Sequence, residues 1–213
     1  MSEPVTWMAA LATVGILLLY EMVLLSVQRR SPGSLARSAH ASLREEWFAA
    51  ISKQRGSEIL AVQTLRNSVM SATMIASTAA LALMGTITLA VPSLHLASAY
   101  GEPASPQLTV RLALELVLLG ILFASLVCSA MAVRYYNHAG FVCSMPVESE
   151  TRARWSRTGA TYLRRAGILY GLGLRHLLMV APILAAMVYP FAGPVTAILV
   201  VAVLLGFDRF ATR

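Results

Sequence analysis

Polar side chains that could bind a ligand or carry protons stand at two places in the sequence, each beside an apolar run. In LAVQTLRNSVMSATM, residues 60–74, Gln63, Arg66 and Asn67 precede a long run of small and apolar residues. In VRYYNHAGF another apolar run ends in a second cluster, formed by Arg134, Tyr135, Tyr136, Asn137 and His138. The arginine fork matches phosphate oxygens, and a histidine can act as a general base. The two clusters therefore suit a phosphate-bearing ligand or proton transfer.

Other ionisable residues lie inside apolar runs, where each needs a partner or a cavity. On insertion scales a charged side chain at the centre of a membrane helix costs about 2.5 to 3.5 kcal/mol. Glu21 and Arg175 lie about 10 and 15 Å from the same predicted boundary, at the helical rise per residue. The long arginine side chain can close that difference, so the sequence predicts an intramembrane ion pair between them. Glu115 follows Arg111 by one helical turn, which predicts a local ion pair.

Metal and cofactor chemistry finds little support in the sequence. His176 lies beside Arg175, but no second histidine is close enough to complete a helical metal-binding pair. The two cysteines have neither the number nor the spacing of a disulfide framework or a metal site. We therefore predict that His176 is a hydrogen-bonded packing residue, and we predict neither a metal nor a cofactor.

The elements that must position these side chains are membrane helices. The 213 residues are 57% hydrophobic and only 13% charged, with a mean hydropathy of +0.68. Runs long enough to cross about 30 Å of hydrocarbon recur along the chain and leave no room for a second domain. The sequence predicts an all-α integral membrane bundle in a single domain, with spans at about residues 7–27, 67–91, 109–133, 166–189 and 192–208.

The basic residues indicate topology rather than nucleic-acid binding. Nearly all of the 17 lysines and arginines lie between residues 29 and 66, between residues 134 and 165, or at the carboxyl terminus. These are alternate connections between the spans, as the positive-inside rule expects of cytoplasmic loops. We therefore predict an external amino terminus, a cytoplasmic carboxyl terminus and no nucleic-acid partner.

The inner loops and the second span carry further patterns. In SLREEWFAAISKQ, residues 42–54, Leu43, Trp47 and Ile51 recur every four residues, which predicts an interfacial amphipathic helix with Arg44 on its polar side. The second inner loop joins aromatic residues to arginines, which suits anionic lipid head groups. The second span is rich in Ser, Ala and Thr, and the fourth has a GxxxG spacing. Small residues allow close helix contact, so we predict that the second span is the central helix.

The two polar clusters share one predicted membrane boundary, because the second span begins where the third ends. Two interpretations are open. The side chains could form a hydrogen-bonded clamp that locks the helix ends, or they could line a pocket for a ligand or a proton, with Glu21 and Arg175 as its floor.

The stretches ILAVQTLRNSVMSATMIAST, VRYYNHAGF and YLRRAGILYGLGLR resemble the signature blocks of a membrane-protein family of bacteria and plants, domain of unknown function 599. The resemblance covers nearly the whole chain. It implies a small multi-span helical protein, in a bacterium one of the inner membrane. It implies no activity, but it assigns the signature positions to Gln63, Arg66, Asn67, Arg134, Tyr135, Tyr136 and His138.

Three functions remain open from the sequence. The first is a structural or accessory role, in which the bundle self-associates or joins a larger membrane complex. The second is transport through a homo-oligomeric pore. The third is lipid binding or lipid chemistry at the inner surface, with His138 as a base and Arg66 and Arg134 on a phosphate. Because no nucleophile or acidic partner has a convincing spacing, the sequence favours a protein that is not an enzyme.

Overall fold

A computed structural model describes residues 2–30, 36–99 and 109–208. These residues form helices and no strand, and four of the helices are long and apolar enough to cross a membrane. The predicted all-α membrane bundle is therefore confirmed. The helices are α1 (Glu3–Arg30), α2 (Ala36–Ile51), α3 (Glu58–Ala99), α4 (Val110–Ser144), α5 (Glu150–Val188) and α6 (Ala192–Asp208).

The predicted fifth span forms α6, which has 17 residues. At the helical rise it covers about 25 Å, slightly less than a typical hydrocarbon core. The helix α5 ends at Val188 and α6 begins at Ala192, with Pro190 in the tight turn between them. Proline cannot continue the helical hydrogen-bond ladder, so the two helices form an antiparallel pair.

Local capping sets the starts of α4 and α5. The Thr109 and Ser149 hydroxyl oxygens each accept the backbone N–H three residues later, at 3.2 Å in both cases. Such side chains satisfy donors that the first helical turn leaves without a partner. The turn before α3 contains Gly56 with a φ of 78°, a left-handed conformation that favours glycine.

The helices α3, α4 and α5 are longer than the spans predicted for them, with 42, 35 and 39 residues. All three extend past the apolar runs on the side where α2 lies, which we call the α2 end of the bundle, and α3 also continues beyond its predicted span at the opposite end. A second hydrophobic core, with Phe48, Leu65, Tyr136 and Leu163, fills this end. The main core lies between α1, α4, α5 and α6 and contains Leu118 and Ile183.

The central helix is α5, which contacts all five other helices. The prediction that the second span is central was wrong: only 22% of the apolar window of α3 is buried, against 28 to 33% for the other three long helices. The close approach that small residues permit occurs on α5 instead. A Cβ atom on Gly173 would overlap the Ser129 hydroxyl of α4, so these helices meet where glycine has no side chain.

Seven hydroxyl groups of α3 form hydrogen bonds within the helix itself. Seven of its Ser and Thr side chains donate to the carbonyl four residues earlier in the same helix, at 2.8 to 3.2 Å. Internal bonding of this kind leaves no hydroxyl proton that requires an acceptor on another helix. The polar stripe with Asn67, Ser71 and Thr78 is accordingly exposed.

The helix α2 occupies the predicted amphipathic segment but begins six residues earlier and packs differently. Phe48 is 1% exposed and Ile51 is buried, whereas Leu43 is 62% exposed and Trp47 is half-buried. The Phe48 ring fills the space beside Gly159 of α5. The helix is therefore held by protein packing against α5, and only part of the predicted apolar face points away from the bundle.

Candidate functional site

The structure separates the two predicted polar clusters instead of joining all their side chains. Tyr136 is buried and Tyr135 is half-buried, whereas the remaining six are exposed: Gln63, Arg66, Asn67, Arg134, Asn137 and His138. Successive residues of a helix point about 100° apart, so neighbours in RYYNH face different helices. Tyr135 and His138 lie against the Tyr162 ring of α5, at centroid distances of 5.7 and 5.5 Å.

Some of the predicted residues do meet in a groove between α3 and α4. Arg66, Tyr136 and Asn137 line this cavity, which has a volume of about 520 Å³. Most of its wall is apolar and includes Met70 and Phe141. The groove has a polar rim from both predicted clusters, but it is mainly a hydrophobic surface.

Arg44 of α2 is the residue that the sequence analysis did not single out as a site residue. Its guanidinium lies over Gly167 of α5, where any Cβ atom would overlap it. The Nη1 atom donates to the His40 carbonyl at a long 3.4 Å. Within the described ranges no carboxylate lies within ion-pair distance of Arg44. A half-buried guanidinium without a counter-ion is a candidate anion-binding group.

Arg44 stands at the polar end of a cavity of about 370 Å³, which we call the α5–α6 groove. His40 and Ala36 share its α2 face, since they precede Arg44 by one and two helical turns. Much of the remaining wall is formed by Leu174, Leu178, Leu204 and Phe207, beside the paired side chains of Arg175 and Asp208. The groove thus joins a cationic end to a hydrophobic wall.

The two glycines of the GxxxG spacing on α5, Gly167 and Gly171, line this groove. Gly167 makes room for Arg44, and a Cβ atom on Gly171 would meet no atom within 4 Å. Their small size therefore keeps the cavity open along α5.

A second cavity, which we call the polar chamber, is also lined by Arg44 and has a volume of about 350 Å³. Arg44 and Tyr170 line both the chamber and the α5–α6 groove. The chamber walls carry an amide and several hydroxyl groups, from Thr64, Asn67, Ser68, Ser71 and Tyr136. Asn67 and Tyr136 were predicted site residues, and the structure brings them together with Arg44.

Arg175 forms an ion pair inside the bundle, but not with Glu21 as the sequence predicted. Its Nη2 atom lies 2.5 Å from Asp208 Oδ1, and its Nη1 atom donates to the Tyr20 hydroxyl at 2.8 Å. The Tyr20 hydroxyl donates to Asp208 Oδ2 at 2.5 Å, which closes a buried triad. Glu21 is the neighbour of Tyr20 and points elsewhere on α1, and it makes no ion pair within the described residues.

The structure also shows the surroundings of Glu115 and His176, the other ionisable residues predicted within the spans. Glu115 is 1% exposed and pairs with Arg111 at 3.0 Å, so the predicted local ion pair is confirmed. His176 is half-buried on α5. Across residues 2–30, 36–99 and 109–208 no group of three His, Cys, Asp or Glu side chains could hold a metal ion.

Long apolar helices around a polar-lined site at one end define the class of this chain as a helical membrane protein. Its sequence matches, over residues 8–213, the model of the family described as a protein of unknown function, DUF599. The chain therefore belongs to the DUF599 family, whose signature blocks its LAVQTLRN and RYYNH stretches resemble. No curated protein and no solved structure matches it.

Proposed function

We propose that this protein binds an anionic membrane lipid, with the lipid phosphate at Arg44 and an acyl chain in the α5–α6 groove. The observation that carries this proposal is the position of Arg44, a half-buried guanidinium that shares one cavity with the apolar side chains of Leu174, Leu178, Leu204 and Phe207. A phospholipid has the same division, because its charged phosphate adjoins a hydrocarbon chain. The proposal develops the lipid-binding alternative of the sequence analysis.

The chemistry of Arg44 supports an anion as the ligand. Its guanidinium carries five N–H donors and stays charged at every physiological pH. Within residues 2–30, 36–99 and 109–208 the hydrogen-bond acceptor found for these donors is the His40 carbonyl, at 3.4 Å. Phosphate oxygens accept charge-assisted hydrogen bonds in the fork geometry that arginine presents.

The depth of the site suits a lipid of the inner leaflet. Gly167 follows Arg165, the last basic residue before the fourth predicted span, so Arg44 lies near the level of the head groups. Leu174 and Leu178 lie about two and three helical turns further along α5, at the depth of acyl chains. By the positive-inside rule this boundary faces the cytoplasm.

The test is lipid binding by the purified protein in detergent, measured by native mass spectrometry with dioleoyl phosphatidylglycerol. We expect Arg44→Gln to weaken binding about tenfold to a hundredfold, the loss of a charge-assisted hydrogen-bond set. Arg157→Gln is the matched control, because it removes the same charge from an exposed position of α5. Equal binding by wild type and Arg44→Gln would contradict the proposal.

A second pair of variants tests the groove itself. Gly171→Phe should fill the cavity and weaken binding without a steric clash at its Cβ atom. Gly120→Phe places the same side chain at an exposed position of α4 that also has no atom within 4 Å. Because both changes add one phenylalanine to a helix, lost binding in Gly171→Phe alone would identify the groove. Unchanged binding in both would place the lipid elsewhere.

Self-association is a second proposed function, and the outer face of α3 favours it. This face is the least covered of the long helices and exposes Met70, Met74, Leu81 and Met84. A second copy could cover it without breaking any hydroxyl bond, since the α3 hydroxyls bond within their own helix. Cross-linking between Met74→Cys chains in membranes would support a dimer through this face. Monomeric protein at all concentrations in mild detergent would contradict it.

A further inference from the structure

We infer that the polar chamber receives the head group of the bound lipid and selects an uncharged, hydroxylated one. This inference rests on the proposed lipid binding and adds the class of head group. Arg44 and Tyr170 line both cavities, so a phosphate held at Arg44 adjoins the α5–α6 groove on one side and the chamber on the other. The acyl chain of one lipid would then lie in the groove and its head group in the chamber.

Tyr136 supplies an independent sign that the chamber holds a ligand group. Tyr136 is only 3% exposed, and it lines the chamber. Buried tyrosine hydroxyls usually have a hydrogen-bond partner. Among the described residues this hydroxyl has no hydrogen-bond partner, and it is not one of the polar atoms sealed off inside the bundle, so it is open to the chamber. A hydroxyl group of a ligand in the chamber would complete it.

The chamber offers both halves of the hydrogen-bonding that a polyol needs. The hydroxyls of Thr64, Ser68 and Ser71 donate to carbonyls of α3, so their oxygen lone pairs remain to accept from a ligand. Arg44 and the Asn67 amide supply donors on the same cavity. A glycerol or sugar hydroxyl can donate and accept at once, which matches this wall.

The same wall disfavours an ammonium head group. No carboxylate is among the side chains that line the chamber. Arg44 carries a positive charge there, and like charges in a partly enclosed site repel each other. Ethanolamine and choline head groups would bring an ammonium close to Arg44, whereas a glycerol head group brings none.

The experiment compares two lipids, one whose head group has two hydroxyls and one whose methyl head group has none. Dioleoyl phosphatidylglycerol and dioleoyl phosphatidylmethanol carry the same single negative charge and the same chains. In native mass spectrometry of an equimolar mixture we expect wild-type protein to favour phosphatidylglycerol about tenfold, the value of one or two hydrogen bonds. Asn67→Leu should reduce this ratio to near one, because it removes a donor that only the hydroxylated head group uses. Asn137→Leu, at an exposed position outside the chamber, should retain the ratio.

The outcomes separate the two proposals. A ratio near one in wild type, or a full preference in Asn67→Leu, would overturn the chamber inference even if Arg44→Gln weakens both lipids. If Arg44→Gln weakens neither lipid, the proposed lipid binding itself fails. Displacement of the lipid by millimolar glycerol 3-phosphate, a soluble ester with the same phosphate and hydroxyls, would assign the chamber to a free solute and overturn the head-group inference.

Discussion

The buried triad of Arg175, Asp208 and Tyr20 yields a quantitative prediction for Asp208→Asn. The side chains of Arg175 and Asp208 are only 10% and 11% exposed, so solvent screens their attraction little. Removing one partner of a buried ion pair costs about 3 to 5 kcal/mol, because the other charge is left without compensation. For a chain of this size each kcal/mol lowers the melting temperature by about 2 to 4 °C. We therefore expect Asp208→Asn to melt about 6 to 20 °C below wild type.

The assay is thermal unfolding of detergent-solubilised protein, followed by tryptophan fluorescence. Tyr20→Phe should have a smaller effect, about 1 to 3 kcal/mol, because it removes a neutral hydroxyl that bonds both partners. Glu148→Gln is the control, since it breaks the exposed Arg55–Glu148 pair and should change stability by less than about 1 kcal/mol.

Two results would refute this account of the triad. One is a melting temperature of Asp208→Asn equal to that of Glu148→Gln. The other is a larger loss in Glu21→Gln than in Asp208→Asn, which would restore the Glu21–Arg175 pair that the sequence predicted. The double variant Arg175→Met with Asp208→Leu should be more stable than either single change, because it leaves no unpaired charge in the bundle.

Two further predictions concern helix contacts at α4. Gly173→Ala should destabilise the protein by about 1 to 3 kcal/mol, because its Cβ atom would overlap the Ser129 hydroxyl. Gly120→Ala, at a site with no atom within 4 Å, should be neutral or stabilising. Melting curves of the two variants check this prediction, and equal curves would contradict the close contact. Arg152→Met should lower the free energy of unfolding by about 2 to 3 kcal/mol, because the buried guanidinium donates to the Cys143 carbonyl near the end of α4, at 3.0 Å. Urea unfolding measures this loss, and an unchanged midpoint would contradict the prediction.

The sequence was sufficient to predict the class of the fold and the positions of its helices. Apolar length identifies membrane helices because lipid offers no partner to backbone groups. The predicted fifth span has the same limits as α6. The predicted ends of the other spans fell short at the α2 end, because protein packing around Tyr136 and Leu163 continues those helices beyond the apolar layer.

The partners of individual side chains could not be predicted in the same way. Hydropathy does not determine which helices are neighbours, or how each is rotated about its axis. Glu21 was chosen for Arg175 by depth alone, yet Asp208 reaches the same depth because α6 runs back along α5. Asp208 is the last residue of the predicted fifth span, and it was not considered as a partner for Arg175.

Arg44 was missed for a related reason. On an amphipathic helix an arginine is normally assigned to the solvent face, and the sequence analysis placed it there. The signal that could have revealed it is the pair of glycines on α5, since Gly159 and Gly167 provide space for Phe48 and Arg44 of α2. The sequence does not show that α2 packs against α5. Small residues at these positions could therefore equally indicate a contact between two membrane spans.

The triad of Tyr20, Arg175 and Asp208 also bears on how the chain is assembled in the membrane. A ribosome completes α5 before α6, so Arg175 is synthesised 33 residues ahead of its counter-ion. Until Asp208 emerges, that arginine is an isolated charge at a depth where lipid disfavours it by about 2.5 to 3.5 kcal/mol. Synthesis of α6 removes this penalty and joins α1 and α6 around α5. Closure of this part of the bundle is thereby tied to the arrival of α6.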